Sequence, residues 1–524
     1  MMKNKILSML GAGLLMLTLS ACHEQSDTLL PYDHNDELSF GEAEKSYAGK
    51  FKVLWNALNQ NYSLWDYERE NGLDWDAVYD EYLPQFEALD EREKVTDAEL
   101  EDLLKKVLNP LHDGHMVIFV KNHLTGRSVR VAPAKNRNMQ RPDFDIADIC
   151  HPTLEYYAKI ENGEVEVTSD GEPIYMEYST QVDDLLNQFM ATDGYGLRWM
   201  ADSIASLQQL TTPTAKQVEI LQTLTNLYNL LNYGVTGEDD LKLYNTMCER
   251  FSYLNIPGFD PIDPKFGDYG VDIKYALLKG NIAYLYFSDF HLTFYLVDAV
   301  RNEGFPNADE YTNTHMDRAY AVWSAWINAI QKLHSLGQLG GVIIDVRGNG
   351  GGLVSDFQFA LGALLPRGGF TYGDVRFKRG TGRLDYSPLM PQVIGTLELD
   401  HAIITEPIVV LANCRSISMA EITSLSAKEV ENARLIGKRT WGGLCTLTDN
   451  EEFSYNYSGH IGVKDQTPVF IYLPTLATFT RDGKQLEGIG ITPDIDVDLD
   501  EDLFTLTGKD TQLDRALQYI RTGN

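Results

Sequence analysis

GVIIDVRGNGGG (341–352) and IVVLANCRSISMAE (408–421) decide how the rest of the chain is read. Each opens with a short β-branched apolar run of the kind that makes a buried strand. Each run then stops abruptly, the first in a glycine-rich loop, the second at a serine that opens a helix. A glycine loop lets bare backbone N–H groups approach a ligand. A serine at a strand-to-helix turn is held with its hydroxyl exposed, beside the positive end of the helix dipole. Side by side in one sheet, the two stretches would supply an oxyanion hole and a nucleophile. A base, an orienting group and room for a peptide must then come from elsewhere in the chain.

The 524 residues exceed one compact core, so two or three domains are expected. Hydrophobic residues make up 44% of the chain, enough for a large buried core. Lys3 and Lys5 precede an apolar run over 6–21, which is short for a membrane span and reads as a signal segment (1–21). It ends Leu19-Ser20-Ala21-Cys22, which resembles a bacterial lipobox and implies cleavage before Cys22 and lipidation of its thiol. The expected place is the cell envelope, lipid-anchored at the outer membrane, with 22–40 as a polar tether. Net charge is −32, which argues against a nucleic-acid partner, since phosphate binding needs clustered cations. No C-x-x-C pair is present, and neither a metal nor a cofactor is expected. Cys414 and Cys445 could pair in an exported protein or stand as buried thiols.

Residues 41–125 read as an N-terminal helical bundle of about three helices, with Phe51, Leu54, Trp55 and Leu58 at helical spacing. Near Pro110 the helical pattern ends, Gly114 turns the chain, and a strand follows His115; His112 is the neighbouring candidate for the same role. Residues 126–270 form an insertion that is mostly helical, with strand-like pieces in 126–175 and room for a degenerate PDZ domain. From 271 to 524 strands alternate with helices. The expected strands include 281–290 and those of the two opening stretches; the expected helices are 317–337, 354–365 and 418–430. That alternation predicts a parallel-rich α/β core.

Four segments in order, LHDGHM (111–116), DVRGNGGG (345–352), SISMAE (416–421) with LIGKRTWGG (435–443), and LEGIGITPDI (486–495), resemble the tail-specific, or C-terminal processing, serine peptidases. The nearest branch is the one that holds the tricorn core protease and the interphotoreceptor retinoid-binding protein repeats. The resemblance implies a ClpP/crotonase-like core and places the nucleophile at Ser418, with Ser416 as its near rival. The processing branch has its lysine base 25 residues after the serine, where this chain has Gly443; Lys438 lies short of that place. The tricorn-like branch uses a histidine, which points to His115, whose ordinary pKa near 6.5 suits a base. A late glutamate of that branch maps to Glu487 as the group that orients His115, with Asp113 as the alternative. The oxyanion hole falls to the N–H groups of Met419 and Gly351, with Gly350 next in line. Asp345 and Arg347 are expected to brace the glycine loop.

Two functions follow. The first is a serine endopeptidase of the cell envelope that cleaves peptides or unfolded protein tails by a Ser-His-Glu acyl-enzyme mechanism. The second is a non-catalytic lipoprotein on the same fold that binds a peptide or an apolar ligand.

Overall fold

The computed structural model describes residues 43–138, 140–144, 273–297, 310–380, 382–447, 459–462 and 466–524, with a few single residues between 204 and 225. The expected signal segment, tether, lipidation site Cys22 and most of the 126–270 insertion, with Cys150 and Cys248, lie outside them.

The chain begins with helices α1 (Tyr47–Asn61), α2 (Trp65–Glu70), α3 (Trp75–Asp90) and α4 (Asp97–Leu108), then β1 (Val117–Asn122), β2 (Arg127–Val131) and α5 (Pro133–Asn138). A capping box starts α4: the Thr96 hydroxyl accepts from Glu99 N–H, and the Glu99 carboxylate accepts from Thr96 N–H. Its buried stripe of Leu100, Leu103, Leu104 and Val107 is the 3-4 spacing of an amphipathic helix.

After the insertion come β3 (Ile273–Leu278), β4 (Ile282–Phe287), α6 (Leu292–Leu296), α7 (Glu310–Ser335) and β5 (Gly341–Asp345). Next are β6 (Phe370–Phe377), β7 (Met390–Ile394), β8 (Ile408–Ala412), α8 (Met419–Glu429) and β9 (Ala433–Gly437). The chain closes with β10 (Gly459–Ile461), β11 (Val469–Leu473), β12 (Leu476–Phe479), β13 (Ile495–Asp496), α9 (Glu501–Thr507) and α10 (Thr511–Thr522).

The central sheet has the order β13-β9-β8-β5-β4-β3. Its pairings are parallel except for β3, which runs antiparallel to β4. Strands β4, β5 and β8 are buried along their whole length, which is why they read as continuous apolar runs rather than as alternation. Trp323, Trp326 and Ile330 of α7 and Met419 and Ile422 of α8 cover one face. Leu513, Ala516, Leu517 and Ile520 of α10 cover the other. The N-terminal helices bury their apolar stripes against a second sheet, β10-β11-β1-β2, so β1, which follows His115, pairs with a strand from the far end of the chain.

One expected helix is absent. Residues 354–365 fold as two 3-10 turns, Val354–Phe359 and Leu361–Ala363, joined at Ala360 with φ −110 and ψ −115. Gly362 packs so closely that a Cβ there would lie 2.7 Å from the Phe357 carbonyl oxygen. The Asp356 carboxylate also pins this segment by accepting the N–H groups of Leu292 and Thr293. Tertiary packing overrides the helical pattern there. Cys414 and Cys445 are separate buried thiols.

Where β5 ends, the Arg347 guanidinium donates to Asp345, to Asp510 at 2.7 Å and to Gln512 at 2.9 Å, and all four side chains are buried. This ties the entry of the glycine loop to the start of α10. Removing the cation strands two buried carboxylates, so Arg347→Met should lower the unfolding free energy by about 3–5 kcal/mol. Urea denaturation measures this, and a loss below about 1 kcal/mol would show the bridge to be dispensable.

Candidate active site

Because β5 and β8 are parallel neighbours, the glycine loop and the serine turn leave the sheet side by side at its carboxyl end. The two are stitched together: Ile417 N–H donates to the Asn349 carbonyl at 3.0 Å, and Gly348 N–H donates to Asn413 Oδ1 at 3.0 Å. Ser418 stands at φ +57 and ψ −115. Among the described residues only Asn281 is another non-glycine residue at positive φ. Such a conformation costs about 1–3 kcal/mol and persists only where surrounding contacts impose it. Ser418 occupies the N-cap position of α8, yet its hydroxyl makes no cap bond. The capping role that usually explains a serine here is therefore not the one it performs. Ser416, the rival, is buried; its hydroxyl donates to the Val346 carbonyl at 2.7 Å and accepts from Asn413 N–H. It holds the turn.

Gly351, at φ +94, lies directly against the serine. A Cβ there would sit 2.5 Å from Ser418 Cβ and 3.0 Å from Met419 N, so no side chain fits. Its N–H donates to Asn349 Oδ1 at 2.8 Å and is thus already engaged, contrary to the free donor expected from the sequence. An Asn side chain two residues back can always compete for such an N–H. Among the described residues, the Gly350 and Met419 N–H groups have no acceptor in the chain. Met419 opens α8, where N–H groups point outward at the positive end of the dipole.

His115 reaches this region through Trp441–Gly443. Gly114 packs on that segment so tightly that a Cβ would lie 2.1 Å from the Gly442 carbonyl oxygen, and Trp441 Nε1 donates to the Gly114 carbonyl at 3.1 Å. A Cβ at Gly443 would lie 3.4 Å from His115 Cε1 and 3.2 Å from Ile417 Cγ2. The imidazole and the residue before the serine therefore border one spot. No hydrogen bond joins His115 to Ser418; both ring nitrogens are buried without a partner, although the residue as a whole is half-exposed. His112 is held away by Glu68, with Nδ1 2.8 Å from Oε2. Lys438 is bound to Asp496 and Asp498.

Glu487 is fully buried and comes to His115, but it does not bond it. Its Oε1 accepts Gly114 N–H at 2.6 Å, and its Oε2 accepts the N–H groups of Leu444 and Cys445. One oxygen each of Asp113 and Glu487 and one ring nitrogen of His115 lie within 4.8 Å of one another. Asp113 Oδ1 caps the turn by accepting the N–H groups of His115 and Met116, at 2.7 and 2.8 Å. Sequence reasoning gave no role to Glu421, which is buried beneath the start of α8. Its carboxylate accepts from the Thr440 hydroxyl and from the N–H groups of Gly442 and Gly443. It thereby joins the serine's helix to the segment that seats His115. Its trace in the sequence was its place as the last residue of SISMAE (416–421).

Burial dominates the electrostatics. It lowers the His115 pKa to about 4 and raises that of Glu421 to about 7. Burial, and then the charge of Asp113, raise Glu487 well above the usual carboxylate range; burial raises Asp113 as well. Carboxyl groups clustered out of water resist ionising together.

Residues 282–497 match the model of peptidase family S41. That stretch, less than half of the chain, is similar to a family S41 domain. It holds Gly351, Ser418, Met419 and Glu487 but not His115, which the N-terminal unit contributes. The matched family is one of peptidases. The tricorn proteases of Thermoplasma acidophilum and Thermoplasma volcanium are 29% and 28% identical to this chain over 181 and 180 residues. Each match covers 34% of this chain, which spans only 14% of the length of those curated relatives. The solved structure of mature CPAF complexed with lactacystin covers 92% of this chain and 100% of its own, at 12% identity and a TM-score of 0.46.

Proposed function

We propose that the chain is a serine endopeptidase of the tricorn-like branch that acts on peptides or unfolded protein tails. The observation that carries this reading is Ser418: strained at positive φ on the turn from β8 to α8, unused as a cap, and backed by the glycine loop. Its Oγ attacks the scissile carbonyl carbon while a ring nitrogen of His115 takes the hydroxyl proton. The carbonyl oxygen becomes an oxyanion held by Met419 N–H and a loop N–H, that of Gly350, or of Gly351 once it leaves Asn349. The C–N bond then breaks as His115 returns the proton to the leaving amine, and water releases the acyl group by the same steps. Glu487 acts through the backbone it holds around His115 and through its nearness to the imidazolium that forms. No His115–Ser418 bond exists before substrate binds, which is common in apo sites. The same missing bond favours the second reading, a protein that binds a peptide or an apolar ligand without cleaving it.

The polar chain after Cys22 and the lipobox-like end of the apolar run support a lipid anchor in the cell envelope. One experiment addresses activity and place together. A fluorophosphonate probe added to fractionated cells that express the full chain should label Ser418 in the membrane fraction, and Cys22→Ala should move the label to the soluble fraction. A native chain that takes no label would leave the binding reading in its place.

The burial of His115 also fixes a pH dependence. A base must be neutral, and the imidazole is neutral above its pKa, which burial lowers to about 4. The acid limb of kcat/KM should therefore fall near pH 4, well below the ordinary histidine midpoint near 6.5. Rates on a peptide whose own groups do not titrate in that window would show it; a midpoint at 6.5 would mean that the imidazole is solvated when it works.

A further inference from the structure

Asp113, His115 and Glu487 form a donor set whose capacity the fold does not use. Asp113 is fully buried, and its Oδ2 has no hydrogen-bond partner; neither has either ring nitrogen of His115. Asp113 Oδ1 takes two backbone N–H groups, Glu487 Oε1 takes one and Oε2 takes two. That leaves both lone pairs of Asp113 Oδ2, one on Glu487 Oε1 and one imidazole nitrogen, and one ligand atom from each of the three side chains lies within 4.8 Å of the others. We propose that these three side chains bind a divalent cation of the zinc class, and that the bound ion silences the site by occupying His115.

One imidazole and two carboxylates suit zinc, whereas magnesium and calcium want six or more oxygens. Two carboxylates, once ionised, match the ion's charge. Bonds of about 2.0–2.2 Å require the cluster to close by roughly 1 Å, which rotation of the unbonded imidazole can supply. Arg137 works against the ion. Its charge acts on both carboxylates, and its Nε and Nη2 are buried without partners while Nη1 donates to the Leu111 carbonyl. Micromolar rather than nanomolar affinity is expected for that reason. A metal-held imidazole cannot accept the Ser418 proton, so this silencing rests on the reading of His115 as base.

The full chain, freed of metal with a chelator, is titrated with zinc chloride by calorimetry and with cobalt(II) by visible absorption. One ion per chain is expected, with zinc displacing cobalt. Asp113→Asn keeps an oxygen for both turn N–H groups and removes only the free one; it should weaken binding by at least about tenfold. His115→Ala should abolish binding. No binding at millimolar zinc, or unchanged binding in both variants, overturns the proposal. If Asp113→Asn does not fold, His115→Ala, which removes no hydrogen bond, carries the test alone. In the native chain zinc should also slow fluorophosphonate labelling of Ser418, and a chelator should restore it. Failure of the metal-free chain to label would count against the peptidase reading and leave the binding measurement intact.

Discussion

Ser418→Ala is expected to lower kcat for peptide hydrolysis by about four to six orders of magnitude, with little change in KM. In a site of this kind the covalent step has no substitute nucleophile, and what remains is the contribution of binding and of the oxyanion donors. The rival hydroxyl, on Ser416, is buried and bonded to the Val346 carbonyl, so it cannot stand in. The substitution should barely alter stability, because alanine at φ +57 is strained as serine is. Ser418→Gly separates the two effects. Glycine adopts that backbone freely, so the variant should be as inactive as Ser418→Ala yet more stable than it by about 1 kcal/mol, the released strain less the entropy cost of glycine. Steady-state kinetics and thermal unfolding of the three proteins decide the matter. Activity retained in Ser418→Ala would remove the nucleophile from the scheme.

His115→Ala should cost a comparable four to six orders in kcat, and the Ser418→Ala/His115→Ala double variant should be no worse than either single one. A nucleophile and its base act as one unit, so their losses do not add. If the double variant lost the product of the two effects, the residues would be acting separately and His115 would not be the base. The ring makes no hydrogen bond, so its removal should leave the fold intact, and a structural role would instead appear as a lowered melting temperature. The rival His112, tied to Glu68, offers a control: His112→Ala should cost stability at that contact while leaving the acid limb of the pH profile in place.

Strands and turns were legible because each has a local cause. Val342–Ile344 and Ile408–Leu411 are apolar without interruption, as only a strand covered on both faces needs to be. Gly351 and Ser418 are marked by where those runs stop. The helical reading of 354–365 failed because periodicity records an apolar face, not the hold that the Asp356 carboxylate takes on the distant N–H groups of Leu292 and Thr293.

The sequence by itself determined the α/β core and the glycine loop set beside a serine turn; only a family resemblance singled out Ser418, His115 and Glu487 as candidates to be joined. Tertiary structure alone decided how they meet. It showed that β1, just after His115, is held by β11 from the far end of the chain, and that Glu421 and Glu487 grip the backbone around the imidazole rather than the imidazole itself. It also showed that Asn349 takes the N–H of Gly351. Strands and turns follow from neighbours along the chain. Which buried oxygen accepts which N–H follows from groups hundreds of residues apart competing for the same partners, and no spacing in the sequence records the outcome of that competition.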